Sequence, residues 1–258
     1  MIQQVDRSVI RLLLNNQFII SPFFKAKIWG ALENTENSEI DCSFFILLEK
    51  DIPYAGLHLK EGEGTLLVLK KSTNLTNDLN RIPRLTFLSG ERKWLTSYAQ
   101  FNSLELKTGP LMAYFGSPYN LQKRFFCFEK ANLGQVASLL RSSHAFYKNH
   151  LIPDLWVKNM RKKNMSGHTL TYQISIAEEV VATASIERGD ETTTIISNLA
   201  VHPSFRRKGL ASILISQLVN QIINDGKIPR LLSGTEEATQ LYKKLGFVKE
   251  GYWGQCSI

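Results

Sequence analysis

The sequence LAVHPSFRRKGLA, from Leu199 to Ala211, joins a strand-like run to a helix-like one. The residues of 192–201 are mainly Thr, Ile and Val, which suit a strand, and Pro203 ends it because proline has no N–H to donate. From Leu210 to Ile223, apolar residues recur at helical spacing. The pattern predicts a strand, a basic turn and then a helix.

A helix that starts at this turn would offer a binding site for an anion. The first N–H groups of a helix have no partner within it and lie at the positive end of its dipole. Gly209 and Ala211 leave room for a ligand, and three basic side chains add charge: Arg206, Arg207 and Lys208. Basic residues oppose the dipole, so an ordinary basic helix start explains the stretch less well than a pyrophosphate site does.

The stretch resembles motif A of the GNAT superfamily of acyl-CoA-dependent N-acyltransferases. That motif is an apolar strand, Val-x-Pro, two residues, and then Arg or Gln-x-x-Gly-x-Gly or Ala. The residues here that match it are Val201, Pro203, Arg206, Gly209 and Ala211. The resemblance implies that the backbone of Leu199 and Val201 binds the pantetheine arm and polarises the acyl carbonyl. It also implies a pyrophosphate cradle formed by Arg206, Arg207, Lys208, Gly209, Leu210 and Ala211.

A second segment, Ala238 to Phe247, resembles the closing motif of the same family. Apolar and aromatic residues repeat there at helical spacing, and Gly246 suits the left-handed end of a helix. The family's tyrosine in this motif faces the coenzyme sulfur, which makes Tyr242 the expected catalytic residue that protonates the departing thiolate. A half-buried tyrosine with no such role is the alternative.

The resemblance implies transfer of an acetyl group from acetyl-CoA to a primary amine. Many relatives carry a carboxylate on the strand before motif A, but residues 194–198 contain none. Glu187 and Glu191 are candidate substitutes for that base, and Ser197 or Asn198 is a candidate holder of a water. A non-catalytic acyl-CoA-binding regulatory protein stays open as an alternative. The sequence does not identify the amine.

The charge and the cysteine content indicate which ligands, metals and cellular location to expect. The formal net charge is +8, of which residues 1–120 contribute +1 and residues 121–258 contribute +7. Clustered basic charge favours a polyanion such as CoA, and we find no nucleic-acid-binding motif to favour DNA or RNA. The three cysteines, Cys42, Cys127 and Cys256, form no metal-ligand pattern, so we expect no metal and a reducing, cytoplasmic location. We expect no membrane segment.

The order of predicted elements in residues 121–258 is the GNAT order. It comprises a strand at 124–128, a helix at 133–147, three strands at 169–177, 180–187 and 192–201, and then the motif A helix, a strand and the Tyr242 helix. The expected class is α/β (α+β), with a mixed, mostly antiparallel sheet flanked by helices. Residues 121–258 would form the catalytic domain.

Residues 1–120 would form a second, smaller α/β domain. Within it, residues 82–91 parallel residues 228–236, which suggests a diverged GNAT-like repeat that lacks motif A. Chance similarity is the alternative. This domain would shape the acceptor pocket or a homodimer contact.

Overall fold

The computed structural model describes residues 1–15, 21–34, 42–121, 129–143, 147–148 and 151–258. Their contacts divide the chain into two compact units. The first unit comprises Met1–Met112, Leu232–Thr239 and Lys249–Ile258, and the second comprises Ala113–Leu231 and Gln240–Val248. Two late segments therefore belong with the N-terminal part of the chain. The division into domains at residue 120 stays a prediction.

The first unit is built on a mixed sheet in which β12 lies between β5 and β6. Neighbouring strands are antiparallel from β1 to β4, and β4 and β5 are parallel. One core cluster packs strand residues such as Leu57 and Leu88 against helix residues such as Leu79 and Leu95. Its strands and helices are β1 (Ile2–Val5), α1 (Arg7–Asn15), α2 (Pro22–Asn34), β2 (Cys42–Glu49), β3 (Ile52–Lys60), β4 (Glu63–Val68), α3 (Leu75–Leu79), β5 (Phe87–Glu91), α4 (Arg92–Phe101), β6 (Lys107–Ala113) and β12 (Val248–Ser257).

The second unit has the strand order β7-β8-β9-β10-β11. The pairs are antiparallel except that β10 and β11 are parallel. Its elements are β7 (Glu129–Lys130), α5 (Leu133–Ser143), α6 (Pro153–Met165), β8 (Thr169–Ile176), β9 (Glu179–Arg188), β10 (Thr193–Val201), α7 (Leu210–Asn224) and β11 (Ile228–Leu232). The last helix, α8 (Glu236–Lys244), follows β11 in the chain.

Helices cover both faces of the second unit's sheet. The hydroxyl of Tyr172 donates to Oε1 of Gln221 in α7 at 3.0 Å. On the other face, Ala200 of β10 packs in one cluster with Val136 and Leu140 of α5. The predicted class, a mixed and mostly antiparallel sheet flanked by helices, is therefore confirmed.

Most of the predicted elements lie where the sequence placed them. The three strands of the meander, the motif A helix and the helix that carries Tyr242 are all present. The predicted strand at 124–128 lies outside the described residues, as does Cys127. Among the helices of the described ranges, none combines the length and apolar character needed to cross a bilayer.

The order of elements repeats along the chain. In the part of the chain that the structure describes, the series β1, α1, α2, β2 to β4, α3, β5, α4, β6 is followed by β7, α5, α6, β8 to β10, α7, β11, α8, β12. In both series a three-strand meander is followed by a helix, a strand parallel to the last meander strand, and another helix. The two similar sequences do not lie in equivalent places, because residues 82–85 form the turn before β5 whereas residues 228–231 lie within β11. The order of elements, and not this likeness in sequence, therefore agrees with a diverged repeat.

Candidate active site

Strand β10 leaves its parallel neighbour before it ends. Thr193, Thr194 and Ile195 pair with Ile228, Pro229 and Arg230 of β11. In the described residues, β10 has no pair with β11 beyond Ile195, although the strand continues to Val201. A gap therefore opens beside the second part of β10.

A β-bulge determines which backbone groups face this gap. The register with β9 shifts between Ser197 and Ala200, and Asn198 has a positive φ of 51°. After the bulge, Ala200 lies opposite Thr183, and the N–H of His202 donates to the carbonyl of Val181 at 2.8 Å. Because alternate residues bond to one neighbouring strand, the N–H groups of Leu199 and Val201 point away from β9. These are the two residues whose backbone the motif A resemblance singled out.

The turn after β10 leads directly into α7. Pro203–Phe205 forms one turn of 3₁₀ helix, and Arg207 and Gly209 then take positive φ values of 63° and 83°. Gly209 is the N-cap of α7, and a Cβ on it would meet nothing within 4 Å. The backbone at the start of α7 is therefore open to a ligand, at the place where a helix has unpaired N–H groups.

The basic side chains of the turn differ in what they contact. The guanidinium of Arg206 donates from Nη2 to the carbonyl of Ser143 at 2.8 Å and from Nε to that of Val201 at 3.4 Å. Lys208 is exposed and its Nζ lies 4.8 Å from the centre of the Phe205 ring. Arg206 thus holds the turn against the end of α5, and its backbone N–H donates to the carbonyl of Pro203 at 3.3 Å.

Tyr242 is buried on α8, with 6% of its surface exposed. Its ring centre lies 5.8 Å from that of Phe247, which follows the left-handed Gly246 that ends the helix. Burial raises the pKa of Tyr242 well above its usual value, and the nearby phenol of Tyr147 adds to the effect. The phenol therefore stays protonated and can donate a hydrogen bond at any pH near neutrality.

Residues 135–247 match the model of the acetyltransferase (GNAT) family. This segment is a GNAT domain. It contains the bulged strand, the basic turn, α7 and Tyr242, so the features described above all belong to it. The family is one of acetyltransferases, and an acetyltransferase type of activity follows for the domain. A comparison with curated protein sequences finds no significant match.

Solved structures show the same fold over nearly the whole chain. A tandem GNAT protein from the clavulanic acid biosynthesis pathway aligns with a TM-score of 0.64 at 9% identity, covering 100% of this chain and 98% of that one. A GNAT acetyltransferase from Colwellia psychrerythraea gives a TM-score of 0.64 at 11% identity, with 100% and 99% covered. A Drosophila protein gives 0.69 at 10% identity, with 100% and 98% covered. At such low identity these likenesses establish the fold alone.

Within the GNAT domain, a partly buried polar network lies beside the bulge. Nδ2 of Asn198 donates to Oγ of Ser185 at 3.2 Å, and Ser185 in turn donates to Oγ1 of Thr171 at 3.1 Å. The hydroxyl of Tyr147 donates to Oδ1 of Asn198 at 3.5 Å, a long bond. Tyr147 thus contacts the bulge and interacts electrostatically with Tyr242. Tyr147 is therefore a neighbour of both the β10 bulge and Tyr242.

The sequence did not point to Tyr147, which lies at the end of a helical pattern like many packing residues. Two histidines of the second unit, His202 and His168, make local structural contacts. His202 caps the 3₁₀ turn, because its Nδ1 accepts from the N–H of Ser204 at 3.4 Å. His168 is buried just before β8, where its carbonyl accepts from the N–H of Arg188 at 2.8 Å.

Proposed function

We propose that the protein transfers an acetyl group from acetyl-CoA to a primary amine, by direct attack of the amine on the thioester while both substrates are bound. The observation that carries this proposal is the separation of β10 from β11 immediately before the open start of α7. A thioester with a long pantetheine arm and a pyrophosphate needs such a slot followed by such an anion site.

Two sets of backbone groups would hold acetyl-CoA. The N–H groups of Leu199 and Val201 face the gap and would bind the pantetheine arm and the acyl carbonyl. The pyrophosphate would rest on the turn and the first turn of α7, between Arg206 and Ala211. A carbonyl oxygen held by N–H donors gains more stabilisation as it becomes an oxyanion, which lowers the barrier to attack.

The chemistry begins when the neutral amine attacks the carbonyl carbon. The C–N bond forms, the carbonyl electrons move to oxygen, and collapse of this tetrahedral intermediate breaks the C–S bond. Tyr242 would donate to the departing sulfur. A free phenol is a weaker acid than a thiol by about 2 kcal/mol, and burial widens the gap for Tyr242. Tyr242 therefore acts by hydrogen bonding as sulfur gains charge. It would pass its proton to the thiolate only as it regains one from the new amide nitrogen, which must lose a proton, so that the net products are one amide and one thiol.

We propose that residues 121–258 carry this activity and that residues 1–120 are a diverged copy without a coenzyme site. The two series of elements support the copy, since in the described residues each series has its elements in the same order. The basic excess of residues 121–258 supports placing the polyanionic coenzyme with them.

The test is acetyl-CoA-dependent thiol release by the full chain with a panel of putrescine, lysine amide and tyramine. We expect release of CoA thiol with at least one amine and one new amide per thiol. Acetyl-CoA should raise the melting temperature, whereas duplex DNA should not. Tight acetyl-CoA binding without turnover of any amine would instead support an acyl-CoA-binding regulatory protein.

A further inference from the structure

The start of strand β2 carries a cysteine that lies against a histidine. Sγ of Cys42 is 3.0 Å from Nε2 of His58 on β3. The ring of His58 stacks on that of Phe44, with 5.0 Å between the ring centres and 30° between the planes. Phe44 pairs directly with His58 across the two strands, so this stacking holds the imidazole beside the sulfur. A thiol and an imidazole at this distance can exchange a proton.

The sulfur of this pair faces a cavity in the first unit. The cavity has a volume of about 600 Å³ and is lined by the end of β1, the start of α1 and the start of β2, including Cys42. Cys42 is partly exposed, whereas His58 is 8% exposed. Sites for small molecules have volumes of roughly 300–1,000 Å³. A small reagent can therefore reach the sulfur, while the imidazole stays shielded behind it.

The second unit shows that the fold does not require a thiol and an imidazole at these positions. Cys42 begins β2 as Thr169 begins β8. His58 pairs with the third residue of β2, as Ser185 pairs with the third residue of β8, and both registers shift after the sixth residue. Two hydroxyl groups thus hold the equivalent positions in the second unit. Packing alone does not explain the cysteine and histidine.

Charged groups reach the pair from the strands and the helix around it. Lys60 of β3 pairs with Cys42 and lies on the same face of the sheet. Glu63 of β4 pairs in turn with Lys60 and is exposed. Asp6 and Arg7 line the cavity at the start of α1. The carboxylate of Asp6 accepts from the first N–H groups of α1, so it caps that helix.

The remaining charged residues of α1 and α2 are Arg11, Glu33, Lys25 and Lys27. Arg11 and Glu33 form an ion pair with each other at 3.8 Å. Lys27 is exposed. Beside the sulfur, the positive charges of the neighbouring lysine and arginine outnumber the one carboxylate that lines the cavity. Nearby positive charge favours the thiolate form of a cysteine, which is its nucleophilic form.

We propose that Cys42 is a nucleophilic thiol activated by His58, and that the cavity is a site of S-thiolation by low-molecular-weight disulfides. His58 takes the proton of the thiol, and the thiolate attacks one sulfur of the disulfide. A new S–S bond forms at Cys42 and the S–S bond of the reagent breaks. The departing sulfur leaves with the electron pair and takes the proton from His58. Cys42 is oxidised, and the released thiol is the reduced product.

Cys256 is an internal control in the same chain. It is 1% exposed, and burial raises its pKa to about 11. Its thiol therefore stays protonated near neutral pH and has no open path to a reagent. A difference between Cys42 and Cys256 reports the surroundings of each sulfur under identical conditions.

The experiment treats the full chain with 2,2′-dithiodipyridine between pH 5 and pH 9, stops the reaction with acid, and measures the modified fraction of each cysteine peptide by mass spectrometry. The rate at Cys42 should reach half of its plateau below about pH 7.5, whereas a free cysteine does so near about pH 8.5. At pH 7, Cys42 should react at least about 100-fold faster than Cys256. A half-plateau for Cys42 near pH 8.5 would overturn the proposal, and this result needs no variant.

His58→Gln separates activation from a structural role. At pH 6 it should slow the reaction at Cys42 about 10-fold, yet at pH 9 it should react at least as fast as the wild type, because the thiolate of a weaker acid is the better nucleophile. Lys60→Gln removes a positive charge from the same face and should change the rate at pH 6 less than about threefold. Urea denaturation shows whether each variant is folded.

Two results with the variants would overturn the role of His58. Equal slowing of His58→Gln at pH 6 and pH 9 would mean that the substitution only changes access to the sulfur. Equal losses in His58→Gln and Lys60→Gln at pH 6 would indicate a general effect of positive charge. The proposal does not depend on acetyl transfer, so a chain that acetylates no amine but shows the expected profile at Cys42 would support it.

Discussion

The two series of elements differ most at the junction between the last meander strand and the following helix. In the described registers, β4 and β10 each pair with a parallel neighbour over three residues. Of these two strands, β10 has a bulge in its described register with β9, whereas the described register of β4 with β3 is regular. β10 is followed by a glycine-containing turn and the 15-residue α7, whereas the helix after β4 is the 5-residue α3.

The junction after β4 satisfies its own polar groups. The hydroxyl of Tyr54 donates to Oδ2 of Asp78 at 2.8 Å, and the amino group of Met1 lies 3.4 Å from the same oxygen. The N–H groups of Leu69 and Lys70 donate to the carbonyl of Tyr54. We therefore infer that strand separation alone does not make a coenzyme site. In the proposed function, a bulge that redirects N–H groups and a helix with an open start are needed as well.

The largest expected effect is a loss of folding stability at high pH. Both compact units contain buried groups whose pKa values are raised. Burial raises the pKa of Tyr98 to about 12 and that of Cys256 to about 11 in the first unit, and the pKa of Tyr147 to about 12 in the second. Each folded pKa exceeds the unfolded one, so the stability these groups contribute is complete below about pH 9 and is lost as the pH rises toward 12.

Urea denaturation at pH 8 and pH 11 measures this loss. We expect the free energy of unfolding to fall by about 2–4 kcal/mol from Tyr98 and Cys256 together. A Cys256→Ala variant should lose less over the same interval. Stability that is unchanged or higher at pH 11 would show that these groups titrate normally and are not buried.

The second effect uses a pair of tyrosines on the equivalent helices α8 and α4. Tyr242→Phe should lower kcat for amine acetylation about 30- to 100-fold, because the leaving sulfur loses a hydrogen-bond donor. Tyr98 of α4 is equally buried, with 1% exposed, and Tyr98→Phe should leave kcat unchanged. Steady-state kinetics at saturating acetyl-CoA measures both. Equal losses of kcat in Tyr242→Phe and Tyr98→Phe would show that Tyr242 has no role that the buried Tyr98 of α4 lacks.

The third effect uses the first turns of α7 and α3. Ala211→Glu places a carboxylate where the pyrophosphate would bind, and should weaken acetyl-CoA binding about 30-fold. Glutamate at a helix start is compatible with the dipole, so we expect the fold to persist. Asn77→Glu makes the same change in charge at an exposed position of α3 and should not alter the Kd measured by calorimetry. An unchanged Kd in Ala211→Glu would exclude the cradle.

The smallest effect concerns the polar cluster after β4. Asp78 is 3% exposed, and Asp78→Ala leaves the buried hydroxyl of Tyr54 without its acceptor. We expect a loss of about 1–3 kcal/mol in unfolding free energy, with the Kd of acetyl-CoA unchanged. Chemical denaturation and calorimetry on the same sample test both statements. Weaker acetyl-CoA binding in this variant would mean that the first junction contributes to the coenzyme site.

The sequence predicted those parts of the site whose signals are local. The Thr- and Ile-rich strand, the Pro203 stop and the spacing of α7 each lie within a few residues, so periodicity and turn chemistry were sufficient. The bulge at Asn198 could not be located this way, because its register shift depends on pairing with β9. The network of Tyr147 and Ser185 joins residues that are far apart in the chain, and only the fold brings them together.

The first series of elements was harder to predict because its strands lack alternation. Most residues of β3 are buried on both faces, and the strand contains Pro53 and Gly56, which argue against a strand in a sequence. Gly56 has a structural reason to be there, since a Cβ on it would lie 2.9 Å from Cδ2 of Leu13 in α1. This close approach of α1 to the sheet depends on tertiary packing, which no local pattern reveals.

The most direct test of the central claim is a calorimetric titration of the full chain with acetyl-CoA, because the two junctions differ in whether they can hold the coenzyme. We predict one acetyl-CoA bound per chain, with that binding weakened by Ala211→Glu and unaffected by Asn77→Glu. Two molecules per chain, or one molecule whose affinity responds to Asn77→Glu and not to Ala211→Glu, would contradict the account.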